Sequence, residues 1–144
     1  MKVTVAFFKG DNDLSDKLVK WWTNSKYSHC EMIIQDKWLS ADPKRGVRLI
    51  NLKPLKDNWD YVEVEVDEKN TPFVLSFISE QKGKKYDWKG IFFSQLFSFD
   101  LHSHNKFFCS ELVMGVLQAF NASRAMGKKP HKFSPGDVFN LLNS

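Results

Sequence analysis

The chain has 144 residues, a formal net charge of +4 and 42% hydrophobic residues, with Phe 13 and Trp 5 among them. That length fits a single domain, residues 1–144, which can bury roughly two-thirds of its unfolded surface without disulfide or metal staples. Two cysteines are too few for a disulfide framework, no apolar run is long enough to span a bilayer, and scattered lysines argue for a solvated surface rather than a nucleic-acid footprint.

The opening MKVTVAFFKGDND has neither the apolar length nor the small-residue cleavage site of a signal peptide, so a cytoplasmic location is expected. Val3 to Phe8 alternates, is rich in β-branched residues, and predicts a strand. Gly10, Asp11 and Asn12 make a turn, and Asp13 can cap a helix over Leu14 to Thr23 with an apolar face of Leu14, Leu18, Trp21 and Trp22. Tyr27 to Gln35 predicts a second strand, Asp36-Lys37 a tight turn, and Trp38 to Ala41 a third strand. After the loop Asp42 to Gly46, Val47 to Leu52 and Tyr61 to Val66 predict two more, the latter with Val62, Val64 and Val66 on one face.

Beyond Asn70 the period becomes helical. Thr71-Pro72 opens a helix to about Lys82, Asp87 to Phe99 is a second candidate, and Phe108 to Phe120 is a third, with Leu112, Val113, Val116, Leu117 and Phe120 on its face. Ser134-Pro135 starts a last helix through Leu142. Strands followed by helices predict an α+β domain, an antiparallel sheet packed with helices.

Cys109 stands at the start of the third helix, in FFCSELV. The unpaired N–H groups and partial positive charge of a helix N-terminus favour a thiolate and can hold an oxyanion. A cysteine nucleophile of this kind is expected to border a cleft and needs a base with an orienting partner. His29, in the strand YSHCEMII, is the candidate base. Glu31 follows on the same strand face, making that face polar, whereas Cys30 points the other way toward Met32 and Ile34 and reads as core. Two carboxylates can orient His29. Asp42, at the end of the neighbouring strand, is the first choice because hairpin pairing can return it to the level of His29; Glu31 is the second.

Other candidates are thinner. His102 and His104 form a His-x-His pair, but no Cys, Asp or His nearby completes a ligand set, so no metal or other cofactor is expected. Phe92, Phe93, Phe97 and Phe99 read as core, although a lipid groove is conceivable beside an acyl-transfer site.

The blocks YSHCEMII, WLSADPKRGVRLINL, GKKYDWKGIFF and FFCSELV resemble, in this order, those of the circularly permuted papain-like cysteine hydrolases. These are the YiiX-like branch of the NlpC-type cell-wall peptidase superfamily, similar also to lecithin–retinol acyltransferase-like proteins. The resemblance covers roughly Val3 to Leu117. It implies a permuted papain-like fold, Cys109 as nucleophile, His29 as base, and a third polar residue on the strand after the His strand, at Ser40 or Asp42. Where that pattern leads one to expect Glu before Ala, this chain has Ser40 before Ala41.

The function expected is therefore a cysteine-nucleophile hydrolase or acyltransferase acting on an amide, ester or thioester carbonyl. The resemblance points to cell-wall peptides or lipid acyl groups as substrates. The alternative is a non-catalytic binding or host-interaction module that retains the fold, motivated by the missing Glu and the surface lysines. Nucleic-acid binding is the least favoured reading.

Overall fold

A computed structural model describes residues 1–10, 17, 20, 21, 23–42, 46–82 and 108–144 of the chain; the side chains of Asp42 and Phe108 are not part of that description. The stretches that alternate in the sequence form five strands: β1 (Lys2–Phe8), β2 (His29–Ile34), β3 (Lys37–Asp42), β4 (Gly46–Asn51) and β5 (Trp59–Glu65). They build an open antiparallel sheet in the order β4-β3-β2-β1-β5, so β2 and β1 are interior strands. Gln35, at φ 55, and Asp36 connect β2 to β3 and set the register Met32↔Leu39 and Ile33↔Trp38. Just past that ladder the Ser40 hydroxyl of β3 reaches the Glu31 carboxylate of β2. Gly46 takes φ 78 where β4 begins, a backbone conformation that disfavours any residue with a Cβ.

A short 3₁₀ turn (Glu68–Asn70) leads into α1 (Thr71–Gln81), and α2 (Phe108–Ala119), a second 3₁₀ turn (Pro130–Lys132) and α3 (Pro135–Leu142) follow. Pro72 sits in the first turn of α1, where its missing N–H leaves no bond unmade. At the start of α3, Ser134 and Asp137 form a reciprocal capping box that satisfies two otherwise orphaned N–H groups.

Period-two alternation splits the sheet residues between two faces. Val3, Val5 and Phe7 of β1, Cys30, Met32 and Ile34 of β2, and Leu39, Ala41 and Val47 pack against the helices in the main core. Val62 and Val64 lie against it, on the face their alternation predicts. The helical share includes Val74 and Ile78 of α1, Val138 of α3 and most of α2. Leu112, Val113, Val116, Leu117 and Phe120 are all buried, as the 3.6-residue period requires. Each such side chain withdrawn from water contributes roughly 1.5–3 kcal/mol against the entropy of ordering it. α2 is thus the central helix, and its first turn is pressed toward the start of β2.

The opposite face of the sheet carries a smaller cluster of Ala6, Ile33 and Trp38, flanked by Ile50, Trp59 and Tyr61. His29 and Glu31, the polar residues of β2 on this face, are set among aromatic rings.

The observed architecture is α+β. Element limits differ from the expected ones by a residue or two, as helix and strand ends commonly do. Lys17, Lys20, Trp21 and Thr23 are helical, consistent with the expected helix before β2. Trp21 does not join an apolar face, however; it is 76% exposed. The helix expected over Asp87 to Phe99, together with Tyr86, His102, His104, Leu14, Leu18 and Trp22, lies outside the described residues. No helix among the described residues is long and apolar enough to cross a membrane.

Candidate active site

Cys109 is the second residue of α2 and His29 the first of β2. The fold brings these two positions, eighty residues apart in the chain, close enough that each group shifts the proton affinity of the other. The contact follows from packing: α2 lays its apolar stripe on the Cys30–Met32–Ile34 face of β2, so its N-terminal turn meets the strand where the strand begins.

Glu31 completes a chain of polar contacts. Its Oε1 lies 3.0 Å from His29 Nε2 and accepts a hydrogen bond from Ser40 Oγ at 2.7 Å. Its Oε2 accepts the indole N–H of Trp38, and Lys53 Nζ lies 3.9 Å from it. The Lys53 ammonium also stands 5.0 Å above the Trp38 ring. With Nε2 of His29 turned to Glu31, Nδ1 is the ring nitrogen left to face the thiol. The edge of the imidazole meets Trp59 at 6.3 Å between centroids, and Trp59 meets Trp38 at 5.6 Å. The aromatic wall holds the ring in place and dries the carboxylate, whose side chain is 7% exposed against 25% for His29.

The electrostatics follow from these contacts. Hydrogen bonding from Cys30 and the adjacent His29 imidazolium hold the Cys109 thiol well below its ordinary pKa, against the opposing effect of burial. Burial disfavours a charged His29, but the charge and hydrogen bond of Cys109, with those of Glu31, outweigh it and raise its pKa well above 6.5. Burial likewise disfavours the Glu31 carboxylate; His29, Ser40 and Lys53 overcome it and lower its pKa. The three shifts act in the same sense, favouring thiolate on Cys109, imidazolium on His29 and carboxylate on Glu31. Cys30 has the opposite character: desolvation and the neighbouring thiolate push its pKa well up, so it stays a thiol.

Cys109, His29 and Glu31 are therefore together. Asp42 is the last residue of β3, and its backbone pairs with Gly46; its side chain lies outside the described residues. Among the described side chains the carboxylate in contact with His29 is Glu31, which lies along the sheet to reach the ring. Sequence reasoning named Ser40 as one of two positions for the third polar residue and as the place of an expected glutamate. In the fold Ser40 and Glu31 face one another across paired strands, so the carboxylate comes from β2 and the hydroxyl from β3. Trp38 and Lys53, which also hold Glu31, were not singled out from sequence. Their signal was the alternation of β3, which puts Trp38 and Ser40 on the face of Glu31; Lys53, in the segment after β4, carried none.

One expectation differs in degree. Cys109 is 3% exposed rather than open to a cleft. Among the described residues no group of three or more His, Cys, Asp or Glu side chains could hold a metal ion.

No family model matches the chain, and neither does any curated protein or solved structure.

Proposed function

We propose that this chain is a cysteine-nucleophile hydrolase or acyltransferase of the permuted papain-like kind, acting on an amide, ester or thioester carbonyl. The observation that carries the reading is the contact series Cys109–His29–Glu31, with the thiol on the first turn of a helix. The Cys109 thiolate attacks the carbonyl carbon, and the oxyanion that forms faces the unpaired N–H groups of the first turn of α2. His29, as imidazolium, gives its proton to the leaving amine, alcohol or thiol, and a thioester remains on Cys109. Water, or an acceptor alcohol or amine, then attacks with His29 as base and frees the acyl group. Glu31 keeps the ring in one orientation and stabilises its cation throughout. Cell-wall peptides and lipid acyl groups are the substrate classes the resemblance suggests.

A second reading is favoured by the 3% exposure of Cys109: a binding module that keeps the fold and does not turn over substrate. Incubation with an activated acyl ester, followed by peptide mass spectrometry, separates the two. The enzyme reading expects an acyl group on Cys109, lost in Cys109→Ala and strongly reduced in His29→Asn. Acylation confined to surface lysines, or to Cys30, would overturn it.

A further inference from the structure

The mechanism proposed above assigns no part to Lys53, yet its ammonium is the cation that stands at the buried carboxylate. The two oxygens of Glu31 are used differently. Oε1 lies 3.0 Å from His29 Nε2 and accepts the Ser40 hydroxyl at 2.7 Å. Oε2 accepts the Trp38 indole N–H and stands 3.9 Å from Lys53 Nζ, which is also 5.0 Å from the Trp38 ring. The Glu31 side chain is 7% exposed and that of Lys53 43%, so a half-exposed cation meets a carboxylate withdrawn from water. The other elements around Glu31 bring different groups. On β1 it pairs with Ala6, which carries no charge; on β4 Arg48 pairs with Ser40 and so shares this sheet face; the thiols of Cys30 and Cys109 lie in the core on the helix side.

The acyl chemistry proposed above, on which this inference rests, needs the Nδ1 proton of His29 to leave and to return. It goes to the departing amine, alcohol or thiol, and comes back from water or the acceptor. While His29 is an imidazolium, its charge offsets that of Glu31. Once the ring is neutral, Nε2–H still donates to Oε1, but the positive charge is gone. A carboxylate this buried, held by neutral donors alone, either keeps the imidazole charged or takes up a proton itself. The first outcome makes His29 a poor acid, and the second removes the acceptor that fixes its tautomer. We propose that Lys53 is a positioning residue of the site, whose ammonium keeps Glu31 ionised and bonded to His29 Nε2 while the Nδ1 proton departs and comes back. Lys53 forms no bond to substrate and exchanges no proton with it. Its place suits this role: it stands at Oε2, the oxygen that His29 does not use, and so adds charge without competing for the hydrogen bond to the ring. Against the burial that raises it, the Glu31 pKa is lowered by His29, Ser40 and Lys53 together.

The test follows the histidine ring signals of the intact protein by NMR against pH, with that of His29 identified by its loss in His29→Asn. Lys53→Met keeps an apolar stem beside Trp38 and removes the charge, whereas Lys53→Arg keeps a cation. Expected in Lys53→Met is a His29 midpoint raised by roughly half a pH unit or more, because the carboxylate then relies on the imidazolium alone. Lys53→Arg should titrate close to the wild type. Acylation of Cys109 by esters should also slow in Lys53→Met, and more for a poor leaving alcohol than for a good one, since His29 has become a weaker acid. A Lys53→Met midpoint equal to or below that of the wild type would mean that Lys53 only packs on Trp38 and would overturn the proposal; so would a shift as large in Lys53→Arg. The titration needs no turnover, so the two readings fail separately: a wild-type Cys109 that is never acylated ends the enzyme reading, whereas unmoved midpoints end only the role given to Lys53.

Discussion

His29 Nε2 lies 3.0 Å from Oε1 of Glu31, two positions along the same strand. Residues at that spacing stand roughly 6.5–7 Å apart along a strand. The Glu31 carboxyl bridges the gap by lying along the sheet, where Ser40 and Trp38 hold it from β3. The same hydrogen bonds that satisfy a buried carboxylate therefore fix the orientation of the imidazole.

Replacing Glu31 by Gln should weaken the imidazolium and, through it, the thiolate. Expected is a fall in the neutral-pH alkylation rate of Cys109 on the order of tenfold, the equivalent of one pKa unit at the thiol. Asp42→Asn should lower it less. Iodoacetamide kinetics on the folded variants make the comparison; the reverse ranking would make Asp42 the orienting carboxylate.

The alkylation of Cys109 should depend on pH differently from that of an ordinary thiol. With its pKa held well down, the wild-type rate should already be near its plateau at neutral pH and decline in acid. In the guanidinium-unfolded chain the rate should instead rise through about pH 8.5. Cys30→Ala removes the donor that most lowers the Cys109 pKa, so its alkylation profile should move toward alkaline pH. Cys30→Ser, which keeps a donor, should move less. Identical profiles in all three would mean that Cys30 contributes packing only.

Stability should carry the signature of the ion pair. The pKa of folded His29 is raised well above its unfolded value of about 6.5, and that of folded Cys109 is lowered well below about 8.5. Between those pH values the folded pair holds one proton, on His29, and the unfolded pair holds one, on Cys109; the pair's contribution is then independent of pH. Below about 6.5 the unfolded chain binds an extra proton, and the contribution is lost as Cys109 is protonated. Above about 8.5 the unfolded chain has released a proton that folded His29 keeps, and the contribution is lost as pH rises through the His29 value. The slope on each side is at most about 1.4 kcal/mol per pH unit. Urea unfolding of the wild type and of a Cys109→Ser/His29→Gln double variant, from about pH 5 to about pH 10, should give a difference that is flat in the middle and falls at both ends. A monotonic difference would contradict the pairing.

Ser134→Ala should destabilise the domain by about 1 kcal/mol, because it removes the side-chain half of the capping box that starts α3. The effect should appear as a lower urea midpoint with an unchanged m-value. Cys109 alkylation in the folded state should be unaffected, since α3 is not part of the site.

The sequence by itself determined the elements and their faces. Alternation placed Val62 and Val64 on the core side of β5 and separated Cys30 from His29 and Glu31 on β2. Helical spacing named the buried stripe of α2, and Ser134-Pro135 marked the start of α3. These are local regularities, written every second or every third to fourth residue, and they can be read without knowing what lies opposite. Cys109 and His29 could also be nominated locally, one from a helix start and the other from its residue type.

Tertiary structure alone decided what surrounds them. Pairing of β2 with β3 brought the Ser40 hydroxyl and the Trp38 indole within reach of the Glu31 carboxyl, so that carboxylate is buried and held. Docking of α2 on β2 let both His29 and Cys30 act on the proton affinity of Cys109, although period-two geometry places those residues on opposite faces. At the first residues of a strand a helix terminus can touch both faces, and no local pattern records that. Proton affinities and the contact of Glu31 with His29 depend on distances across the fold, because electrostatic and hydrogen-bond energies are set by separation and burial rather than by position in the chain.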